Sequence, residues 1–253
     1  MLLSNANSSI FGPLGEGERG GDAEGALRSP NIWDAPDSYE LENLGADPDG
    51  AIERRIRHLG GWVGLDVLDV GCGTGFHLPR FAGEARSVVG VEPHAPLARR
   101  AQARVAQTGL TNVSIRLAAA QATGLPDSSI DVAHARWAYF FGPGCEPGLA
   151  ELGRVLRPGG TAYLIDIDAT RSTFGRWFRQ AWPSYDPPAV ERFWRRLGWT
   201  QERLTITWEH ATREEFETVL RLEFTPAYAG RILGEDPLRT GVDYAVSLWW
   251  RRF

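Results

Sequence analysis

The stretch Val67–Gly75, VLDVGCGTG, constrains the fold of this chain more than any other. Val67, Leu68 and Val70 form a short apolar run that ends in glycines at alternate positions, Gly71, Gly73 and Gly75. An apolar run stopping in alternating glycines is how a buried strand turns into a helix N-terminus around a ligand. Glycine permits the tight turn and carries no Cβ to hold the ligand away. A second short run, Val88–Val91, ends in an acid, Glu92. In doubly wound sheets an acid at the neighbouring strand tip accepts hydrogen bonds from a ribose diol. The register is not that of the dinucleotide fingerprint GxGxxG, whose third glycine would fall where this chain has Phe76.

Further along, apolar runs alternate with helical patterns. Strands are expected at 66–70, 88–92, 111–117, 130–135, 161–165, 203–209 and 244–250. Helices are expected from Asp49, as cap, to Leu59, then at 74–83, 95–107, 146–156, 188–197, 212–222 and 226–233. Gly109 stops the third of these helices, and the turn RPGG, 157–160, follows the fourth. Strands alternating with helices imply a parallel sheet.

The tight glycine register with Asp69 inside the strand resembles the first motif of class I S-adenosylmethionine-dependent methyltransferases. The phrases LPDSSIDVA (125–133) and LRPGG (156–160) resemble the same family, and the likeness covers residues 60–166. It implies an α/β fold: a Rossmann-like, doubly wound, seven-stranded sheet, mostly parallel with an antiparallel last strand. It also implies S-adenosylmethionine as cofactor and S-adenosylhomocysteine as product. In that family the backbone of the glycine loop, here Gly71, Cys72, Gly73 and Gly75, lies against the methionyl part, and the strand acid, Asp69, helps hold the loop. Glu92, followed by Pro93, matches the ribose-binding acid. The residue that takes the adenine amino group, commonly Asp, falls at Gln121, followed by Ala122; the Gln carbonyl can still accept from an amino group. Arg136, ending the fourth strand, could meet the cofactor carboxylate or form a surface ion pair. The N-terminal segment often closes over the cofactor in this family, making Tyr39 a candidate contact.

Residues 1–30, rich in Gly, Ser, Glu and Ala, read as a mobile or loosely attached segment, and 31–253 as one domain. The aromatics of NIWDAPDSYELEN, 31–43, suit either a lid or plain packing. Residues 170–200 hold Phe174, Trp177, Phe178, Trp182, Tyr185, Phe193, Trp194 and Trp199, and read as a helical cap over the substrate end of the sheet. Ten tryptophans in one domain fill a core or line an aromatic acceptor pocket.

Methyl transfer needs a base only if the acceptor keeps its proton in the ground state. His77 and Asp168 are the candidates offered, with His134, His210 and Asp166 behind them; helix packing competes for His77 and core packing for His134. Asp166 and Asp168 are too incomplete a set of oxygen ligands for a metal, and none is expected. The net charge of −5 with no basic tail disfavours nucleic acid as partner. Every Lys/Arg position is arginine, which removes Schiff-base chemistry. Two cysteines, Cys72 and Cys145, make no disulfide framework, and no stretch reaches the length of a membrane span. The expectation is a cytoplasmic monomer or homodimer methylating a small, largely apolar molecule, from secondary metabolism. A nicotinamide oxidoreductase, and a cofactor-binding fold used as a scaffold or for non-methylating chemistry, are the alternatives.

Overall fold

The computed structural model describes residues 21–253. Seven strands form one sheet: β1 (Asp66–Val70), β2 (Ser87–Glu92), β3 (Val113–Leu117), β4 (Ile130–Arg136), β5 (Leu156–Ile167), β6 (Thr200–Glu209) and β7 (Gly241–Arg252). Their spatial order is β3-β2-β1-β4-β5-β7-β6. The first five strands pair in parallel, and β7 runs antiparallel to both β5 and β6. The order reverses at β1, so the tips of β1, β2 and β4 open onto the crevice where such sheets bind ligands.

The helices are α1 (Pro30–Asp34), α2 (Pro36–Gly45), α3 (Ala51–Leu59), α4 (Leu78–Ala82), α5 (Ala95–Thr108), α6 (Glu146–Val155), α7 (Thr173–Ala181), α8 (Pro187–Arg196), α9 (Arg213–Glu223) and α10 (Pro226–Glu235). They cover both faces of the sheet and bury two apolar clusters. Val67 of β1 enters one with Ile52, Ile56, Phe81, Phe216 and Ile232; Leu68 and Val70 enter the other with Leu152, Val155, Phe193 and Trp194. Strands buried on both faces explain why β1 and β2 read as near-continuous apolar runs.

Three local expectations are corrected. The start of α3 is capped by Asp47, not Asp49: its two carboxylate oxygens accept the N–H groups of Ala51 and Ile52 at 2.7 and 2.9 Å. The helix expected from Thr74 begins only at Leu78, because the chain spends 71–77 in the turn that frames the cavity. The RPGG segment is drawn into β5: Gly159 N–H donates to Phe253 O at 2.6 Å and Phe253 N–H to Gly160 O at 2.9 Å. The register against β4 jumps there, from Ile130↔Leu156 to Val132↔Thr161.

The aromatics of 170–200 serve mainly as core. Phe174, Trp177, Phe193, Trp194 and Trp199 are all buried, and Phe174 stacks on Tyr244 of β7 with ring centroids 4.2 Å apart. At the other end of the chain, residues 1–20 lie outside the described residues. The expected boundary at residue 30 nevertheless falls inside a bonded strap. Ala23 N–H donates to Pro93 O at 2.9 Å, and Asp22 accepts the N–H of Ala95 at 2.9 Å. No described helix is long and apolar enough to cross a membrane.

Candidate functional site

A cavity of about 430 Å³ opens between the strand tips and the strap. Its floor is the turn after β1, including Gly71, Cys72, Gly73, Thr74, Phe76 and His77. One side carries Glu92 and Pro93 with Ala119–Gln121, the other Arg136–Tyr139, and residues 25–43 form the roof.

The glycine turn is held by its neighbour strand. Val91 O accepts the N–H groups of Gly71 and Cys72 at 2.8 and 3.0 Å, and Glu92 Oε2 accepts that of Gly73 at 2.9 Å. Gly71 sits at φ +71°, and a Cβ there would meet Ala138 Cβ at 2.5 Å. Gly75, at φ +79°, packs where a Cβ would stand 3.2 Å from Ala101 of α5; it shapes the turn but does not line the cavity. Asp69 does not line it either. Its carboxylate takes His134 Nδ1 at 2.8 Å, in a buried pair between β1 and β4, so it braces the strands beneath the turn.

Among the described lining residues, Trp137 Nε1 is buried without a partner, and three further polar groups are left partly unsatisfied. Glu92 is buried, and each of its oxygens accepts one backbone N–H, from Gly73 and from His94, both at 2.9 Å. A carboxylate oxygen has a further lone pair, so each can accept once more. Burial, against those two hydrogen bonds, pushes its pKa up to about 7. Gln121 donates its Nε2 to Gly25 O at 2.7 Å, which fixes the amide and leaves Oε1 buried without a partner. Arg136 makes only a long 3.4 Å bond to Ala46 O, its Nε has no partner, and its guanidinium lies 4.4 Å from the Trp137 ring centroid. Burial lowers its pKa to about 10, leaving it charged at neutral pH.

Of the other expected residues, Tyr39, Cys72, Pro93 and His77 line the cavity, and Ala122 does not; Ala119 and Ala120 stand in its place. Burial first, then the charge of Arg136, lowers the His77 pKa well below the usual histidine value and keeps the ring neutral. Asp168 is remote: it accepts from Thr170 N–H at 3.0 Å and faces Arg203 at 3.5 Å, and it is not part of the lining. Residues not foreseen are Ile32, Asn43, Phe76, Trp137, Tyr139 and Phe141. Trp137 and Tyr139 adopt left-handed conformations at φ +48° and +56°, unusual for bulky residues. Strain of this kind depends on tertiary context, and nothing in the sequence WAYFF marks it.

The family model described as "Methyltransferase domain" matches residues 67–160. Over those residues the chain is similar to a methyltransferase domain. Nocamycin O-methyltransferase of Saccharothrix syringae is 36% identical over 100 residues, which cover 38% of this chain and 36% of that relative. The tRNA U34 carboxymethyltransferase of Methylococcus capsulatus is 27% identical over 86% of this chain and 70% of its own length. The YcgJ protein of Bacillus subtilis shares the fold, with a TM-score of 0.58 at 16% identity, covering 79% of this chain and 96% of that one. The chain thus spans about a third of the first of these relatives. The residues around the cavity fit S-adenosylmethionine: a carboxylate with lone pairs to spare suits its ribose diol, an amide carbonyl without a partner its adenine amino group, and a guanidinium with an unpaired Nε–H its methionyl carboxylate.

Proposed function

We propose that this chain transfers a methyl group from S-adenosylmethionine to a small, largely apolar acceptor. The observation that carries the reading is that Gln121 Oε1 and Arg136 Nε, both without a partner, and Glu92, with one bond to each oxygen, stand around one cavity. Each matches a different polar part of the cofactor, and burial makes each costly to leave unpaired. When bound, the cofactor supplies a methyl group on a sulfonium that a nucleophile can take in line.

The chain's own residues do the rest. Glu92 would hold the ribose and Gln121 the adenine amino group, while Arg136 would form a charge-assisted pair with the methionyl carboxylate. Asp69 steadies β1 against β4 through His134. The strap and the ring of Tyr39 exclude water, which strengthens those contacts and orients the reacting atoms. His77 is the one imidazole among the described residues of the lining, and being neutral it can accept a proton from an acceptor hydroxyl. Trp33, Phe76, Trp137, Tyr139 and Phe141 favour an apolar or planar acceptor, and the nocamycin-directed relative points to secondary metabolism.

A tRNA acceptor is the second reading, favoured by the carboxymethyltransferase that aligns with most of this chain. The net charge of −5 opposes it, since phosphate binding draws on clustered positive charge. Incubation with methyl-labelled cofactor, a panel of hydroxylated and aminated aromatic acceptors, and bulk tRNA separates them. Label in a small molecule supports the proposal; label only in tRNA supports the second reading. Cofactor consumption with no label transferred would point to non-methylating chemistry.

A further inference from the structure

The roof of the cavity is fastened to the body at two ends. At the glycine-turn end the contacts are ordinary ones: Trp33 stacks on His94 at 4.0 Å, and Glu40 binds Thr74 and, at 2.7 Å, Arg104. At the far end, Glu42 of α2 meets Glu223, the last residue of α9, carboxyl to carboxyl. Asn31 of α1 donates its side-chain amide to the same Glu223. Two ionised carboxylates cannot hydrogen-bond to each other, so this contact requires a proton between them.

The surroundings place that proton on Glu42. Its Oε2 is buried and has no donor, whereas Glu223 already accepts from Asn31. The groups facing the pair are Tyr39 on α2, Arg136 on β4, and Tyr244 on β7, which also faces Asp166 of β5. Arg136 is the cation among them, and it also faces Asp47, whose oxygens cap α3. Burial raises both tyrosines well above their usual value, so they stay neutral. Burial and the neighbouring acid raise Glu42 well above the ordinary carboxyl range, and burial brings Glu223 to about 7.

We propose that the Glu42–Glu223 carboxyl pair is a proton-dependent latch on the roof of the cavity: with the proton in place α1 and α2 are held down, and its loss releases them. Once the proton leaves, two like charges face each other in a site with little water, and the bond that joined α2 to α9 becomes a repulsion. Opening admits the cofactor or releases its product. The latch rests on the reading of the cavity as a cofactor site, but its test needs no cofactor.

Hydrogen exchange of the amides of 36–45 is followed in the full, ligand-free chain from pH 6 into the alkaline range, after correction for the intrinsic pH dependence of exchange. The wild type is expected to keep its protection through the ionisation of Glu223 near 7, which leaves the shared proton in place, and to lose about tenfold of it, roughly 1.4 kcal/mol of opening free energy, once Glu42 ionises at higher pH. Glu42→Gln keeps a neutral donor towards Glu223 at every pH, so its protection should remain high and flat. Glu42→Ala removes the bond and should be open throughout. Glu235→Gln, at an exposed position ending α10, should behave as the wild type. Protection independent of pH in the wild type, or the same loss in Glu42→Gln, would overturn the latch. Failure there leaves the cofactor reading standing, and a cavity that binds no cofactor leaves the exchange result standing.

Discussion

Glu92 Oε2 accepts the backbone N–H of Gly73 at 2.9 Å, while its Oε1 accepts that of His94 at the same distance. One side chain at the tip of β2 therefore ties down the turn after β1 and the entry to α5. The carboxylate is presented to the cavity in a fixed orientation before any ligand arrives, which reduces the ordering cost of binding.

That placement makes cofactor affinity depend on pH. Burial raises Glu92 to about 7, and ribose hydroxyls donate to the ionised form. Affinity for S-adenosylhomocysteine should therefore rise from pH 6 to 8, by up to about tenfold per pH unit below 7. The Glu42→Gln background isolates this effect from the latch. Calorimetric titration should give a sloping profile there and a flat one when Glu92→Gln is added.

Folding stability should run the other way. Glu92, Asp166 and Glu223 all have folded values near 7, raised chiefly by burial. Between the ordinary carboxyl value and 7 the native state holds protons that the unfolded chain has released, so stability falls as pH rises through that window. At the acid end, Glu151 is held down to about 2, first by its bond to Arg154, so its contribution is lost as pH falls through that value. Urea titrations of the ligand-free protein should show greatest stability near pH 5. A loss on the order of a few kcal/mol is expected by pH 8.

Gly71→Ala tests the close approach of the turn. The φ of +71° and the 2.5 Å approach to Ala138 predict a loss of about 1–3 kcal/mol in urea unfolding, with weaker cofactor binding. Gly230→Ala, inside α10 with nothing within 4 Å, should instead stabilise by about 0.5–1 kcal/mol.

Asp47→Ala removes both bonds at the start of α3 and the anion that faces Arg136. Loss of the cap alone should cost about 1–2 kcal/mol, and Asp47→Asn should recover much of it. Thermal unfolding of the two variants checks the order.

The sheet was legible because its central strands carry uninterrupted apolar runs, and β1 and β2 came out within one residue of the expected bounds. Glu92 and Arg136 were placed at strand ends and Gln121 by counting back from Leu125-Pro126, and all three line the cavity. Other features depend on contacts that no local pattern encodes. Asp69 was read as a strand acid that helps hold the glycine loop, but its partner, His134, is 65 positions away on β4. The strap reads as polar and glycine-rich because it binds largely through backbone groups, such as Gly25 O and Ala23 N–H, which any residue carries. The tryptophans of 170–200 suggested a substrate cap, since composition cannot tell a ring that lines a pocket from one that fills a core.

The most direct test of the account is titration of S-adenosylhomocysteine into the wild-type protein and Glu92→Ala at pH 7.5, with circular dichroism as the check on folding. The wild type should bind one equivalent, and the variant at least about tenfold more weakly, the loss expected when hydrogen bonds to a charged group disappear. Equal affinity in the two proteins, or no binding by the wild type, would contradict it.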